Sequence, residues 1–336
     1  MAVTNPSWRQ HLTRTGQLDD RTRDVPLIQA SAAPGLPVEA AADIVTAPRT
    51  VTTRRRRGNK TRRSAVEWVL VHFAFALALL FFLSPFAWLL TAAFNNQADY
   101  VLAWPAPWTL DNFRTVFVDL DFSRYLRNSL IVSLSTMVLT TITVALAGYS
   151  LSRLDIRRKN WITYSILLLQ TMPLSATMVP IYGLARELHL RNNYWGLILI
   201  HTAIELPFLT WMMKNFFDAV PRYLEEAAWI DGRSKLRAWF EILLPMARPG
   251  LAVAAGLSFL SAWSEVLMVL VLVDDQKLIT VPFAFYRAAR GSGSYQEVDY
   301  GVIAALGILY VIPVLIMFFA TRRLMVRGLM NSTRGL

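Results

Sequence analysis

From residue 66 onward the chain is a succession of apolar runs. Six of them, near 66–94, 128–151, 161–183, 194–217, 250–273 and 301–321, approach the roughly 20 residues that cross a bilayer as a helix. Pro85, Pro173, Pro180, Pro207 and Pro313 fall inside these runs. Proline is tolerated there because neighbouring helices satisfy the freed backbone groups, and kinks are expected at these positions. The longest polar interruption in the second half is Glu225 to Pro249. Within it Leu224, Ala227 and Ala228 share one face of a short helix. Leu236, Trp239, Phe240 and Leu243 recur at the i, i+3, i+4, i+7 spacing of a second, with Lys235, Arg237 and Glu241 on its other side. Asp231-Gly232 between them supplies the permissive backbone of a helix-to-helix corner. Pro245 and Pro249 are expected to end the second helix. The pattern predicts an amphipathic helical hairpin between two spans, which either lies on the bilayer surface or docks on another protein.

Composition agrees with the apolar pattern. Of 336 residues 54% are hydrophobic and 17% charged, and the formal net charge is +11; the mean hydropathy is +0.38. The expected fold class is all-α, a polytopic membrane protein with six transmembrane helices. The absence of cysteine excludes disulfides and thiolate metal sites. The four histidines, at 11, 72, 189 and 201, are scattered and form no metal-ligand spacing. No glycine precedes a lysine, so a phosphate-binding loop is absent. No nucleophile–base grouping emerges. The chain is expected to be neither an enzyme nor a holder of a cofactor or metal; if ATP drives it, another chain binds the nucleotide.

Residues 1–64 form a polar tail with Pro6, Pro26, Pro34, Pro37 and Pro48 and no sustained periodicity, expected to be disordered. It has no early apolar core of the signal-peptide kind. It ends in Arg54 to Arg57, Lys60, Arg62 and Arg63, read as a topological anchor before the first span rather than a nucleic-acid or anionic-lipid site. The organisation expected is therefore a cytoplasmic tail at 1–64, a six-helix domain at 65–322 and a cytoplasmic tail at 323–336. With the first tail inside and only its basic end from Arg54 onward counted, 21 Lys and Arg fall in or beside the inner segments and 8 in the outer ones. The positive-inside rule then puts both termini and the 225–249 hairpin in the cytoplasm.

The hairpin carries a specific resemblance. Glu226-Ala227-Ala228, three residues, Gly232, nine residues, then Ile242-Leu243-Leu244-Pro245 resembles the EAA signature of ABC importer permeases. Asp231-Gly232, Phe240 and Pro249 resemble the version in carbohydrate importers, with a departure at Arg233, where that form usually has Ala. In that family the loop is the coupling helix seated in a cleft of the ATPase subunit. The resemblance thus implies ATPase-coupling roles for Glu226, Ala227, Ala228, Asp231, Gly232, Phe240 and Pro245. Trp108-Thr-Leu-Asp-Asn-Phe113 and Asn128-Ser129 resemble sugar-importer permeases that partner a second permease. Arg322-Arg323 through Gly335 resembles the tail of the MalG-type member, which contacts the ATPase dimer.

Two carboxylates interrupt the spans, and charge there is costly enough to demand a partner or an aqueous pathway. Glu205 has His201 one turn before it, and the pair can satisfy itself. Trp263-Ser264-Glu265 resembles the Trp-Asn-Glu/Asp of sugar permeases with Ser in the Asn place. An aromatic plane beside a carboxylate suits a sugar, so Trp263, Ser264, Glu265 and Glu205 are candidates for the substrate pathway. Ser129, Ser133, Thr136, Thr140 and Thr143 line one face of the second span, where small hydroxyls favour close helix packing over pore lining. Trp104 and Trp108, in the first outer loop, are either interfacial anchors or contacts for an external protein. Gly291-Ser-Gly-Ser294 reads as a flexible tip of the outer loop 274–300.

The resemblance covers residues 66 to 335 and implies a transmembrane subunit of a bacterial ABC importer for an oligosaccharide or related polyol compound, in the cell membrane. The partners it implies are an ABC ATPase dimer that binds ATP and Mg, a second, MalF-like permease, an extracytoplasmic sugar-binding protein, the sugar and the lipid, with no nucleic acid. The competing classes are an ion-coupled secondary transporter, which often shows internal repeats that this chain lacks, and a non-transporting membrane scaffold.

Overall fold

The computed structural model describes residues 65–291 and 298–333, with side chains over 67–291 and 298–322. The expected tail at 1–64, Ser292 to Ser294 of the outer tip, and the side chains of Arg323, Arg327 and Arg334 lie outside what is described. Every regular element among the described residues is helical.

The first helix, α1 (Ala65–Ala93), is apolar on all sides and contains Pro85. None of its most apolar stretch is buried within the chain. Only its end, at Trp88, Leu89, Ala92 and Ala93, joins a core. The long helix α2 (Phe122–Arg153) follows, then α3 (Lys159–Leu169), α4 (Leu174–Glu187) and α5 (Tyr194–Asp218). The polar interruption forms α6 (Tyr223–Ile230) and α7 (Lys235–Met246). The chain closes with α8 (Arg248–Ser264), α9 (Leu267–Leu272), α10 (Val281–Ala289) and α11 (Tyr300–Thr333).

Helices α1, α2, α5 and α11 are each long and apolar enough to cross a membrane alone. Two further pairs meet that test only together, and each is bent: α3 with α4 by 95°, and α7 with α8 by 74°. Counting each pair as one span gives six. The third span, expected at 161–183 with kinks at its prolines, goes further than a kink and is broken in two. Pro173 is the cause, because its ring pushes residue 172 out of helical geometry and its missing N–H cannot continue the ladder. The expected fifth span, 250–273, is also divided. Glu265 takes an extended conformation (φ −78°, ψ 125°) and separates α8 from α9. Pro180, Pro207 and Pro313 lie inside helices, as expected. Pro245 does not end α7; a wide turn over Trp239–Leu243 precedes it and the helix runs on to Met246.

The most extensive helix contact among the described residues is between α2 and α5, followed by α2 with α8. A Cβ on Gly148 of α2 would lie 2.8 Å from Met213 Cβ and 2.9 Å from the Lys214 amide nitrogen of α5. Only glycine allows the two backbones to approach so closely. Three apolar clusters fill the bundle. One joins the end of α1, the start of α2, α8, α10 and α11 around Trp263 and Phe122. A second joins α2, α4, α5 and α9. The third joins α2, α5, α8 and the inner face of α7 through Val144, Met213, Phe217, Trp239 and Leu243.

Candidate functional site

The segment between α5 and α8 is a hairpin with two unlike faces. Its corner is a helix C-cap of the Schellman kind. Gly232 has φ 81°, its N–H donates to Trp229 O at 3.0 Å, and the Arg233 N–H donates to Ala228 O at 3.0 Å. Ser234 then opens α7, its hydroxyl accepting from the Arg237 N–H. On the inner face Glu225, Ala228, Ala238, Trp239 and Leu243 are buried. On the outer face Tyr223, Glu226, Ala227, Trp229, Ile230, Asp231, Leu236 and Phe240 are exposed, Ile230 at 87%. Pro245 is half-buried in the last turn of α7. Arg233 and Arg237 both pair with Glu241 at the surface.

Two expectations change here. Leu236 and Phe240 do not share an apolar face with Trp239 and Leu243; the wide turn rotates the sequence so that Trp239 and Leu243 enter the bundle while Phe240 points out. Ala228, for which the resemblance implies an ATPase-coupling role, is buried against its own chain and is not placed for direct contact with another protein.

The inner face is held by a polar joint that the sequence reading missed. Arg153, the last residue of α2, forms an ion pair with Glu225 in the first turn of α6, and both side chains are almost fully buried. Arg153 also donates to Val220 O at 2.7 Å and to the Ser152 hydroxyl at 3.2 Å. Ser152 Oγ donates to Asp218 Oδ1 at 2.6 Å, and Lys214 Nζ donates to Asp218 Oδ2 at 2.6 Å. Glu225 was legible only as the residue beside the signature's own Glu226.

The opposite end of the bundle is fastened by side-chain amides. Asn128 Nδ2 donates to Lys277 O and Ile279 O, each at 2.8 Å, while its Oδ1 accepts from the Tyr194 hydroxyl at 2.7 Å. The Ser129 hydroxyl accepts from the Val281 N–H at 2.8 Å. Asn112 Nδ2 donates to Ala93 O and Asn95 O, satisfying carbonyls left over at the end of α1. Asn96 and Thr109 donate to Asp111, and these bonds hold its carboxyl below the usual carboxylate range. Trp104 and Trp108 are exposed and meet edge to face with centroids 5.4 Å apart. Ser133, Thr136 and Thr140 are buried in the helix contacts of α2, in keeping with packing.

The candidate pathway residues separate. Trp263 is fully buried, stacked on Phe259, with its indole N–H donating to Tyr310 O at 3.2 Å. It has no face left for a sugar, and that expectation is corrected. Ser264 is exposed and its hydroxyl donates back to Leu260 O. Glu265 is half-buried, and its Oε1 accepts from the Leu267 and Met268 N–H groups at 2.7 and 3.2 Å. It caps α9 across the helix break. Glu205 is buried beside the hydroxyls of Ser258 and Ser261, and among the described residues its carboxylate oxygens make no hydrogen bond of good geometry, with His201 or any other group. Among the described residues no group of His, Asp and Glu could hold a metal ion.

Comparison with known proteins adds a family. The profile described as "Binding-protein-dependent transport system inner membrane component" matches residues 140–329. The maltodextrin transport system permease protein MdxG of Bacillus subtilis is 33% identical over 244 residues, 72% of this chain and 86% of its own. The diacetylchitobiose uptake system permease protein NgcG of Streptomyces coelicolor is 31% identical over 242 residues, 71% and 80% of the two chains. A crystal structure of a bacterial ABC transporter that imports the polysaccharide alginate contains a chain of the same fold. That chain superposes with a TM-score of 0.67 at 20% identity, covering 78% of this chain and 98% of the other.

Proposed function

This chain belongs to the family of binding-protein-dependent transport system inner membrane components, as a membrane permease subunit of an ABC importer, and from that premise we propose that it forms one wall of a sugar pathway driven by a separate ATPase. The cargo is an oligosaccharide, delivered by an extracytoplasmic binding protein; the names of the maltodextrin and diacetylchitobiose relatives support this class. A second, MalF-like permease completes the pathway. An ATPase dimer holding ATP and Mg receives the 223–246 hairpin, and both termini of this chain lie on that cytoplasmic side. Closure of the ATPase dimer moves the hairpin, and the bundle alternates between inward and outward access.

The observation that carries the reading is the two-faced hairpin. Its inner face is locked into the bundle, while Ile230, Leu236 and Phe240 project from it. Exposed apolar groups on a rigid, polar-rimmed corner suit a protein cleft. Glu226, Ala227, Asp231, Gly232 and Phe240 contact the ATPase, while Ala228 and Pro245 shape the hairpin from behind. Along the pathway Glu205, Ser264 and Glu265 remain the groups able to meet a sugar hydroxyl. The test is a reconstituted importer with Ile230→Cys in this chain and a cysteine in the ATPase cleft. Cross-linking that changes with ATP, together with uptake of labelled oligosaccharide, is the expected result. An active importer that never cross-links there would sink the coupling role, and uptake of no sugar would sink the cargo.

A further inference from the structure

We infer that the Arg153–Glu225 pair is the strut that makes α6 move with α2, so that Arg153 and Glu225 are positioning residues for transport. The inference rests on the coupling reading of the hairpin and goes beyond it to say how motion leaves the hairpin. Three observations meet at this joint. Arg153 is the last residue of α2 and Glu225 lies in the first turn of α6. A cation at a helix C-terminus and an anion at a helix N-terminus each complement the local backbone dipole. The pair therefore fastens the tail of one helix to the head of another, and both dipoles favour that arrangement.

Burial is the second observation. The side chains of Arg153 and Glu225 are only 8% and 3% exposed. Separating a desolvated pair leaves two uncompensated charges, so the joint resists being pulled apart far more than an exposed pair does. The surface pairs of Arg233 and Arg237 with Glu241 offer no such resistance. The third observation is directional. Arg153 also holds Val220 O, in the link between α5 and α6, and Arg222 donates to Ser152 O. The end of α2 is thus gripped on both sides of the start of α6. The apolar contacts of Trp239 and Leu243 can slide; these bonds cannot without breaking.

The experiment uses the assembled importer with Glu225→Gln and Arg153→Gln. Three quantities are read: sugar taken up per ATP hydrolysed, the Ile230→Cys cross-link to the ATPase subunit, and the distance between spin labels at Ile230→Cys and Leu146→Cys. With the pair intact, the label distance stays narrow and unchanged between the nucleotide-free and ATP-bound states. In the Gln variants the uptake-to-ATP ratio falls at least tenfold and the label distance broadens, while the cross-link persists. An unchanged ratio would overturn the strut and leave the coupling reading standing. Loss of the cross-link in the variants alone would make the pair a support for docking and also overturn it. Absence of the cross-link with the pair intact removes the coupling reading and the strut together. If the Gln variants fail to assemble, Glu225→Asp replaces them, with a partial loss of the ratio expected and an unchanged ratio overturning the strut.

Discussion

At Gly232 the backbone sits in left-handed geometry, and among the described residues beyond its two chain neighbours no heavy atom lies within 4 Å of where a Cβ would stand. The only cost of a side chain there within this subunit is conformational, about 1–2 kcal/mol for alanine and less for asparagine, which tolerates that geometry. Gly232→Ala is therefore expected to lower the melting temperature of the isolated subunit slightly and Gly232→Asn hardly at all. A loss of uptake in Gly232→Asn would then favour the proposed docking of this corner on the ATPase. Ala228, three helical residues before that corner, behaves in the opposite way. It is buried against its own bundle, so Ala228→Leu is expected to reduce the yield of folded subunit itself. Thermal melts and yields of the three variants side by side check both statements. The sequence distinguishes these positions poorly, since both are small residues in one signature; burial separates them.

Among the elements, helix existence is written plainly in the apolar runs, and helix continuity is not. The run 250–273 is apolar on both sides of Glu265, so composition alone carries no sign of a break. The break exists because the Glu265 carboxylate offers the Leu267 and Met268 N–H groups an acceptor that an uninterrupted helix would not need. Glu265→Gln retains an acceptor oxygen and is expected to melt close to the unmodified chain. Glu265→Ala leaves two N–H groups without that partner and is expected to lose about 1–3 kcal/mol. Equal melting of the two variants would show that the cap carries no stability. The same logic limits what was legible in Trp263-Ser264-Glu265. The triplet is easily found, but only packing shows that its tryptophan faces Tyr310 and its carboxylate faces backbone. The Arg153–Glu225 joint was hidden for a different reason. Its members are 72 residues apart and neither belongs to a periodic pattern.

For the whole molecule, the orientation drawn from Lys and Arg has a direct check. An impermeant thiol reagent is expected to label Gln276→Cys from outside intact cells and Tyr223→Cys only after permeabilisation; both positions are exposed. The reverse pattern would invert the molecule. α2 links these two sides. At 32 residues it is about 48 Å long, and it is fixed at its last residue to α6 by Arg153 and in its second turn to the 277–281 backbone by Asn128 and Ser129. Such a rod is a lever. Swung by about 10° around its midpoint, its Arg153 tip travels about 4 Å and the level of Asn128 and Ser129 about 2 Å, by simple geometry from the roughly 1.5 Å rise, still farther than those hydrogen bonds can stretch and survive. The segment from Lys277 to Val281 must then ride with that turn of α2, so the far end of the bundle is geared to whatever grips the Arg153 end.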